Sequence, residues 1–205
     1  MAELSPWLQY GLPTFVAVQR IAELAWSRRN ERTAESTPSA KPESALAESK
    51  SAYGAMVAAH VGLVVLPPLE ALVFVPLEAP ALAAGALVVF AAAQGLRYWA
   101  IRSLGAAWNV RARVTPALGV STRGPYRFVR HPNYLAVVLE FLAVPLALGS
   151  WRSTLLLNLV HAPILARRIR REEALLFRIP GYAAAMSSKG RLLPRVFGTR
   201  LGASA

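Results

Sequence analysis

Residues 123–134 bring cationic, imidazole and phenol side chains together in the order Arg-Gly-Pro-Tyr-Arg-Phe-Val-Arg-His-Pro-Asn-Tyr. The two prolines disfavour helix at the residues before them, so this segment predicts a turn followed by a helix that starts near Pro132. A helix start presents N–H groups and a positive dipole end, which together favour an anion. His131 adds a hydrogen-bonding ring at that point. The segment therefore predicts an anion-binding site, with a purely structural His131 as the alternative.

A second cluster, residues 167–173, has four arginines followed by two glutamates. Adjacent helix positions point about 100° apart, so we expect one of Glu172 and Glu173 to face the protein interior and the other to meet an arginine. The alternative is an ion-pair network at the surface of a helix end. For most of the arginines, anchoring of helix ends to lipid phosphates is the simpler interpretation.

Ionisable residues also occur inside apolar stretches. Glu140 lies about two helical turns after His131, where a carboxylate is costly without a partner. Arg97 and Gln94 are the predicted partners at similar depth. Arg20 and Glu23 are three positions apart in the first apolar stretch, so we expect them to pair with each other.

These residues must be positioned by long apolar elements. Hydrophobic residues make up 55% of the chain, and five apolar stretches each approach the ~20 residues that span a bilayer. The stretches are 6–27, 54–76, 80–101, 133–149 and 152–169. They predict an all-α integral membrane protein of about five transmembrane helices, in which the last two form a helical hairpin.

The distribution of Lys and Arg predicts the orientation. Segment 28–53 has five, segment 102–130 has six and the chain from 167 onward has nine, whereas Arg152 stands alone on the opposite side. By the positive-inside rule, the N-terminus is outside and the C-terminus is cytoplasmic. All the candidate clusters then lie on the cytoplasmic side.

The chain divides into four predicted parts. Residues 1–30 form the first transmembrane helix, and residues 54–101 form the second and third. Residues 31–53 have almost no large apolar side chains, which predicts a flexible cytoplasmic loop. Residues 102–205 contain the fourth and fifth transmembrane helices and most of the candidate site.

Composition narrows the chemistry. The chain has no cysteine, which excludes disulfides and thiolate chemistry, and it has no aspartate, which excludes EF-hand sites. Its three histidines have no metal-ligand spacing, so no metal is expected. The net charge is +12, and the basic residues that produce it lie between apolar runs rather than along one polar helix face. Membrane lipids, and not nucleic acid, are therefore the expected partners.

The motif residues together resemble the isoprenylcysteine carboxyl methyltransferase family and, more distantly, membrane phospholipid methyltransferases. The resemblance rests on Leu104-Gly105, Trp108-Asn109, Gly124-Pro125-Tyr126-Arg127, Arg130-His131-Pro132-Asn133-Tyr134, Arg168, Glu172-Glu173 and Gly181-Tyr182. It implies a membrane enzyme that uses S-adenosylmethionine, enclosed on the cytoplasmic side by the 102–205 core. A lipid-like acceptor would enter between helices.

The resemblance and the clusters together define three sets of candidate residues. The cofactor contacts are Tyr126, Arg130, His131, Pro132, Tyr134 and Glu172. The catalytic residues are Arg168, Glu172 and Glu173. The substrate contacts are Trp108, Asn109, Glu140 and Arg97.

The favoured acceptor is a small hydrophobic molecule. Twenty of the 23 basic residues are arginine, which is typical of a GC-rich coding sequence and favours a bacterial inner (plasma) membrane. The expected reaction is O-methylation of an alkylpyrone, an alkylresorcinol or a lipid carboxylate. Two alternatives stay open: carboxyl methylation of prenylcysteine substrates, and a non-enzymatic lipid-binding protein or transporter.

Overall fold

The computed structural model describes residues 7–35, 50–108, 110 and 120–195. In these residues the chain forms six α-helices: α1 (Leu12–Glu35), α2 (Lys50–Val73), α3 (Pro80–Leu104), α4 (Pro132–Ala147), α5 (Trp151–Leu176) and α6 (Tyr182–Met186). A π-helical turn, Trp7–Gly11, precedes α1, and 3₁₀ turns lie at Gly105–Ala107 and Gly124–Arg127. The described residues contain no β-strand, which confirms the all-α prediction for this part of the chain.

Two of the helical segments are long and apolar enough to cross a membrane: Ala52–Val73 and Pro80–Ala107. The apolar helix Pro132–Ala147 is shorter, and α1 and α5 do not meet the same criteria within the described ranges. The helices α1 and α5 both carry several arginines together with glutamates, which lowers their mean hydropathy. The topology of five spans, and its orientation, remain predictions.

The predicted loop 31–53 is partly helical. Residues 31–35 continue α1 and residues 50–53 begin α2. The intervening residues 36–49 lie outside the described ranges. The loop prediction is therefore too wide at both ends, because a polar composition does not prevent a helix from extending beyond its apolar part.

The helices pack around an apolar core. α3 lies along α4, and α5 packs against both α2 and α4, whereas α1 packs mainly on α2. Five buried side chains from five different helices form the centre of this core: Val16, Leu63, Phe90, Phe141 and Leu157.

α4 and α5 follow each other through a tight turn and pack together, as the hairpin prediction expects. Gly149 in this turn has φ +66°, and a Cβ there would meet the backbone of Leu77 at 2.8 Å. Glu70 on α2 accepts hydrogen bonds from the backbone N–H groups of Arg152 (3.1 Å) and Ser153 (2.6 Å). Glu70 therefore caps the N-terminus of α5 and ties the turn to α2.

The opposite end of the bundle is closed by the segment after α6. The N–H of Arg130 donates to the carbonyl of Gly190 at 2.9 Å, and the N–H of His131 donates to the carbonyl of Arg191 at 2.9 Å. On the other side, the turn at Gly124, with φ +56°, lies so close to Ser103 of α3 that a Cβ would collide with it. These contacts fix the segment that enters α4.

Candidate functional site

The predicted helix start lies where the sequence placed it. His131 is the N-cap residue of α4, and Pro132 is its first helical residue. The carbonyl of His131 accepts hydrogen bonds from the N–H groups of Tyr134 (3.1 Å) and Leu135 (3.2 Å), while its own N–H is bound to Arg191. Proline has no N–H to offer. The backbone therefore leaves fewer donors for an anion than the sequence indicated, since protein groups use most of them.

Glu173 gathers the cations around the start of α4. Its Oε1 lies 3.3 Å from Nε2 of His131 and 3.3 Å from Nε of Arg130, and its Oε2 lies 2.8 Å from Nε and Nη2 of Arg191. Burial raises the pKa of Glu173, but the Arg191 hydrogen bond and the nearby charges of Arg130 and His131 outweigh burial and lower it below the usual value. Glu173 is thus a buried carboxylate that holds three cation-forming side chains together.

Glu172 belongs to a different chain of contacts. The hydroxyl of Tyr134 donates to Oε2 of Glu172 and accepts a hydrogen bond from Nε of Arg168 at 2.9 Å. The ring of His131 stacks on Tyr134 with 5.4 Å between centroids, and its Nδ1 lies 3.8 Å from Oε1 of Glu172. Glu172 borders a cavity, whereas Glu173 meets arginines. The two neighbours therefore point in different directions, as helix geometry predicted, but Glu173 is both the buried glutamate and the one that meets arginines.

Arg168 links α5 to the segment after α3. It donates to the carbonyl of Val110 as well as to Tyr134, and it is 9% exposed. Trp108 lies two residues before Val110 and is 3% exposed. Its carbonyl accepts a hydrogen bond from Asn30 of α1 at 2.8 Å. The candidate substrate contact Asn109 lies outside the described residues.

A cavity of about 490 Å³ runs from this cluster into the helical bundle. Its polar end is bordered by the side chains of the candidate site, namely Tyr126, Arg130, His131, Tyr134, Arg168 and Glu172. Farther in, its walls are mostly apolar and come from α1 and α2: Ala17, Ile21, Leu24, Val57, Val61 and Val64. Polar and apolar walls thus belong to one continuous space.

Aromatic side chains enclose the polar end. Tyr182 and Met186 of α6 pack with Tyr126 in a buried cluster, and all three border the cavity. Burial raises the pKa of Tyr182 to about 12, and it also raises the pKa of Tyr126 well above the usual 10. Both phenols therefore remain protonated near neutral pH. Tyr182 and Met186 were not among the predicted site residues, although the Gly181-Tyr182 motif was a usable signal.

A network of charged and amide side chains lies deeper in the bundle. Glu140 is fully buried and accepts hydrogen bonds from Arg97 (2.5 and 3.1 Å) and Gln94 (2.6 Å), which confirms the predicted partners. Arg20 pairs with Glu23 at 2.8 Å, as predicted, and its Nη2 also reaches Glu140 at 3.0 Å. The sequence did not reveal this second contact.

Two candidate substrate contacts, Arg97 and Glu140, belong to this network. Arg97 borders the cavity, but Glu140 does not. With Arg20, Gln94 and Arg97 around it, Glu140 is occupied by protein partners. Glu140 therefore joins three helices, because its carboxylate on α4 binds Arg20 of α1 and both Gln94 and Arg97 of α3.

Comparison with known proteins agrees with the motif. The sequence model of the isoprenylcysteine carboxyl methyltransferase family matches residues 86–178. The chain is also 32% identical over 167 residues to the uncharacterized protein YpbQ of Bacillus subtilis (strain 168), covering 82% of this chain and 94% of that protein. The matched range contains α4, α5 and the cluster of His131, Tyr134, Arg168, Glu172 and Glu173. This chain belongs to the isoprenylcysteine carboxyl methyltransferase family, a family of membrane-associated methyltransferases whose members use S-adenosylmethionine.

Proposed function

We propose that this protein is a membrane O-methyltransferase that uses S-adenosylmethionine to methylate a small hydrophobic or lipid-like acceptor. An alkylpyrone, an alkylresorcinol or a lipid carboxylate has the required combination of one oxygen-bearing head and one apolar tail. The observation that carries this proposal is a continuous cavity that joins the charged cluster at Glu172 to an apolar wall built by α1 and α2. A lipid-like acceptor needs an apolar site that opens directly onto the reacting groups.

The polar end of the cavity fits the methyl donor. The proposed contacts on the cavity are Tyr126, Arg130, His131, Tyr134 and Glu172, whereas Pro132 does not border it and acts by starting α4. S-Adenosylmethionine is cationic at sulfur and at its amino group, and the carboxylate of Glu172 is suited to either charge. Oδ1 of Asn133 is buried on the cavity without a hydrogen-bond partner among the described residues, so it can accept a hydrogen bond from a hydroxyl or amino group. Tyr126 and Tyr182 offer aromatic surface for an adenine ring.

The residues around the reacting end have separable roles in this proposal. When bound, S-adenosylmethionine supplies an electrophilic methyl group. Arg168 borders the cavity and stabilises an ionised acceptor oxygen, while Glu172 can take the proton of a phenol or hydroxypyrone. Tyr134 fixes both side chains through its hydroxyl. Glu173 is a positioning residue, because it contacts His131 and Arg130 and does not border the cavity.

The enclosing side chains contribute by keeping the reacting groups in place and dry. Tyr126, Tyr182 and Met186 are all buried at the polar end, so they limit access of water to this end of the cavity. Exclusion of water strengthens the charge interactions of Arg168 and Glu172, and alignment lowers the entropic cost of transfer. The arginine-rich segments beside this end favour a cytoplasmic location for it.

A transfer assay with purified protein tests the proposal. The protein in non-ionic detergent is incubated with methyl-labelled S-adenosylmethionine and with alkylpyrone, alkylresorcinol, fatty-acid and prenylcysteine acceptors. We expect label in at least one of the first three, and Glu172→Gln should reduce the rate at least about tenfold. The matched control is Glu78→Gln, since Glu78 is exposed and should not affect transfer.

Each negative outcome has a distinct meaning. Label in the prenylcysteine acceptor alone would replace the acceptor assignment. Transfer that is unchanged in Glu172→Gln would remove the glutamate from the mechanism. Lipid binding without any transfer would favour the non-enzymatic alternative.

A further inference from the structure

Three buried hydrogen-bond donors on the cavity wall make no hydrogen bond to the described residues: Nε of Arg20 on α1, the indole Nε1 of Trp108 and Nε of Arg130. Nε of Arg130 lies 3.3 Å from the carboxylate of Glu173, so Arg20 and Trp108 supply the two donors that have no acceptor group beside them in the described part of the chain. Both residues border the cavity. Buried donors are nearly always satisfied in folded proteins, because their lost hydration is otherwise not compensated. Two such donors on one cavity indicate a ligand that presents hydrogen-bond acceptors.

The guanidinium of Arg20 is held in place by its other nitrogens. Nη1 donates to Glu23 at 2.8 Å, and Nη2 donates to Glu140 at 3.0 and 3.3 Å. These bonds fix the plane of the group, so Nε is left with one direction in which to donate. Hydrogen bonds from a guanidinium are strongest to an ionised oxygen.

Trp108 is held just as firmly, and α1 is again the support. Its ring packs against Trp26 with 5.6 Å between centroids, and its carbonyl is bound by Asn30 at 2.8 Å. With an exposure of 3%, the side chain has little freedom to turn its N–H elsewhere. α1 therefore sets the position of both donors, although it lies outside the range 86–178 that the family model matches.

We propose that Nε of Arg20 and Nε1 of Trp108 form a donor pair that binds oxygen atoms of the acceptor. Neither group can accept a hydrogen bond, so both favour an acceptor with ionised oxygen, such as a carboxylate or a hydroxypyrone. An alcohol offers only a neutral oxygen, and a protonated amine offers no acceptor atom. The inference rests on the proposed function and extends it by assigning the recognition of the acceptor to α1 and Trp108.

The apolar wall of the cavity then takes the tail of the same molecule. Ala17, Ile21 and Leu24 border the cavity on the same helix as Arg20. Ala17 and Leu24 lie three and four positions from Arg20, which places them on its face of α1. An alkyl chain attached to the bound head can therefore continue along α1 and α2.

Binding of simple amphiphiles tests the donor pair without any methyl donor. Dodecanoate, dodecanol and dodecylamine are titrated into the full-length protein in non-ionic detergent at pH 8. Because the tails are identical, differences report on the head alone. We expect dodecanoate to bind about tenfold more tightly than dodecanol, with dodecylamine weakest. Equal affinities of dodecanoate and dodecanol for the wild-type protein would overturn the proposal.

Two conservative variants locate the effect. Arg20→Lys keeps a positive charge near Glu23 and Glu140 but lacks Nε, and Trp108→Phe keeps an aromatic ring but lacks the N–H. Each should weaken dodecanoate about five- to tenfold and leave dodecanol nearly unchanged. The controls Arg29→Lys and Trp99→Phe alter exposed residues of α1 and α3 that do not border the cavity, and both should behave as wild type.

The outcomes separate this inference from the proposed function. If the variants retain the wild-type preference for dodecanoate, or if the controls lose it equally, the donor pair is wrong. Should Arg20→Lys fail to fold, Trp108→Phe and the wild-type comparison still decide the question. A preference for dodecanoate without binding of S-adenosylmethionine would keep the donor pair and reject the methyltransferase. Binding of S-adenosylmethionine without that preference would reject the donor pair alone.

Discussion

Nε2 of His131 lies 3.3 Å from Oε1 of Glu173, so the histidine at the start of α4 faces a carboxylate of the protein itself. The opposite oxygen of Glu173 is held by Arg191 from the segment after α6, at 2.8 Å. This carboxylate therefore connects α4, α5 and the C-terminal segment at the polar end of the cavity. The position of His131 depends on Glu173 as much as on the helix start.

Glu173→Gln should lower the unfolding temperature at neutral pH. It should also make the unfolding temperature fall less steeply as the pH is lowered. The pKa of Glu173 is lowered in the folded protein, so its stabilising contribution is complete above the unfolded value of about 4.3 and is lost as the pH falls below it. The unfolding temperature in detergent is measured from pH 7 down to about 3.5. Glu78→Gln serves as the control, and an identical acid profile for wild type and Glu173→Gln would contradict the assigned contacts.

Tyr134→Phe should slow methyl transfer about 10- to 100-fold, because it removes a hydroxyl that bonds two charged groups. Without the hydroxyl, Arg168 and Glu172 lose the contact that joins them, while the ring against His131 remains. Transfer rates and the unfolding temperature are measured together. A variant as active as the wild type would show that the hydroxyl does not position the reacting groups.

The buried network predicts a pattern across three variants. Glu140→Leu and Arg97→Met alone each leave a buried charge short of its partner, and breaking such a pair costs about 3–5 kcal/mol. The double variant removes one charge of each sign and leaves Arg20 with Glu23, so we expect it to be more stable than either single variant. Unfolding in detergent measures all three. A double variant that loses the sum of the two single losses would contradict the pairing.

Ala17→Phe should shift the acceptor preference toward shorter alkyl chains, because Ala17 borders the apolar part of the cavity. Its neighbour Val18 is 60% exposed and does not border it, so Val18→Phe is the matched control. Transfer to acceptors of increasing chain length is compared at saturating S-adenosylmethionine. Identical chain-length profiles for Ala17→Phe and Val18→Phe would place the tail elsewhere.

Several features of the site could be predicted because they depend on neighbours in the sequence. The start of α4 at Pro132 follows from proline chemistry, and the division between Glu172 and Glu173 follows from helix geometry. The partners of Glu140 could also be predicted, since a carboxylate within an apolar helix needs a hydrogen-bond donor at a similar position along the bundle. Local rules were sufficient for these features.

Other features depend on how distant segments pack. The contact between Arg20 and Glu140 joins residues 120 positions apart, and no periodicity marks it. The return of residues 190–191 to the start of α4 uses backbone carbonyls, and the side chains at these positions do not indicate which N–H groups these carbonyls bind. For that reason the sequence-based prediction gave too many free N–H donors at the helix start. It also did not include the residues of α1 that line the cavity.

Binding of S-adenosylmethionine is measured by calorimetric titration into the purified protein. We expect one binding site per chain and an affinity at least about tenfold weaker in His131→Ala. Arg127→Ala, which changes an exposed residue of the preceding turn, should bind as the wild type does. Absence of binding to the folded wild-type protein would refute the methyltransferase, and equal affinities for wild type and His131→Ala would refute the cofactor site at the start of α4.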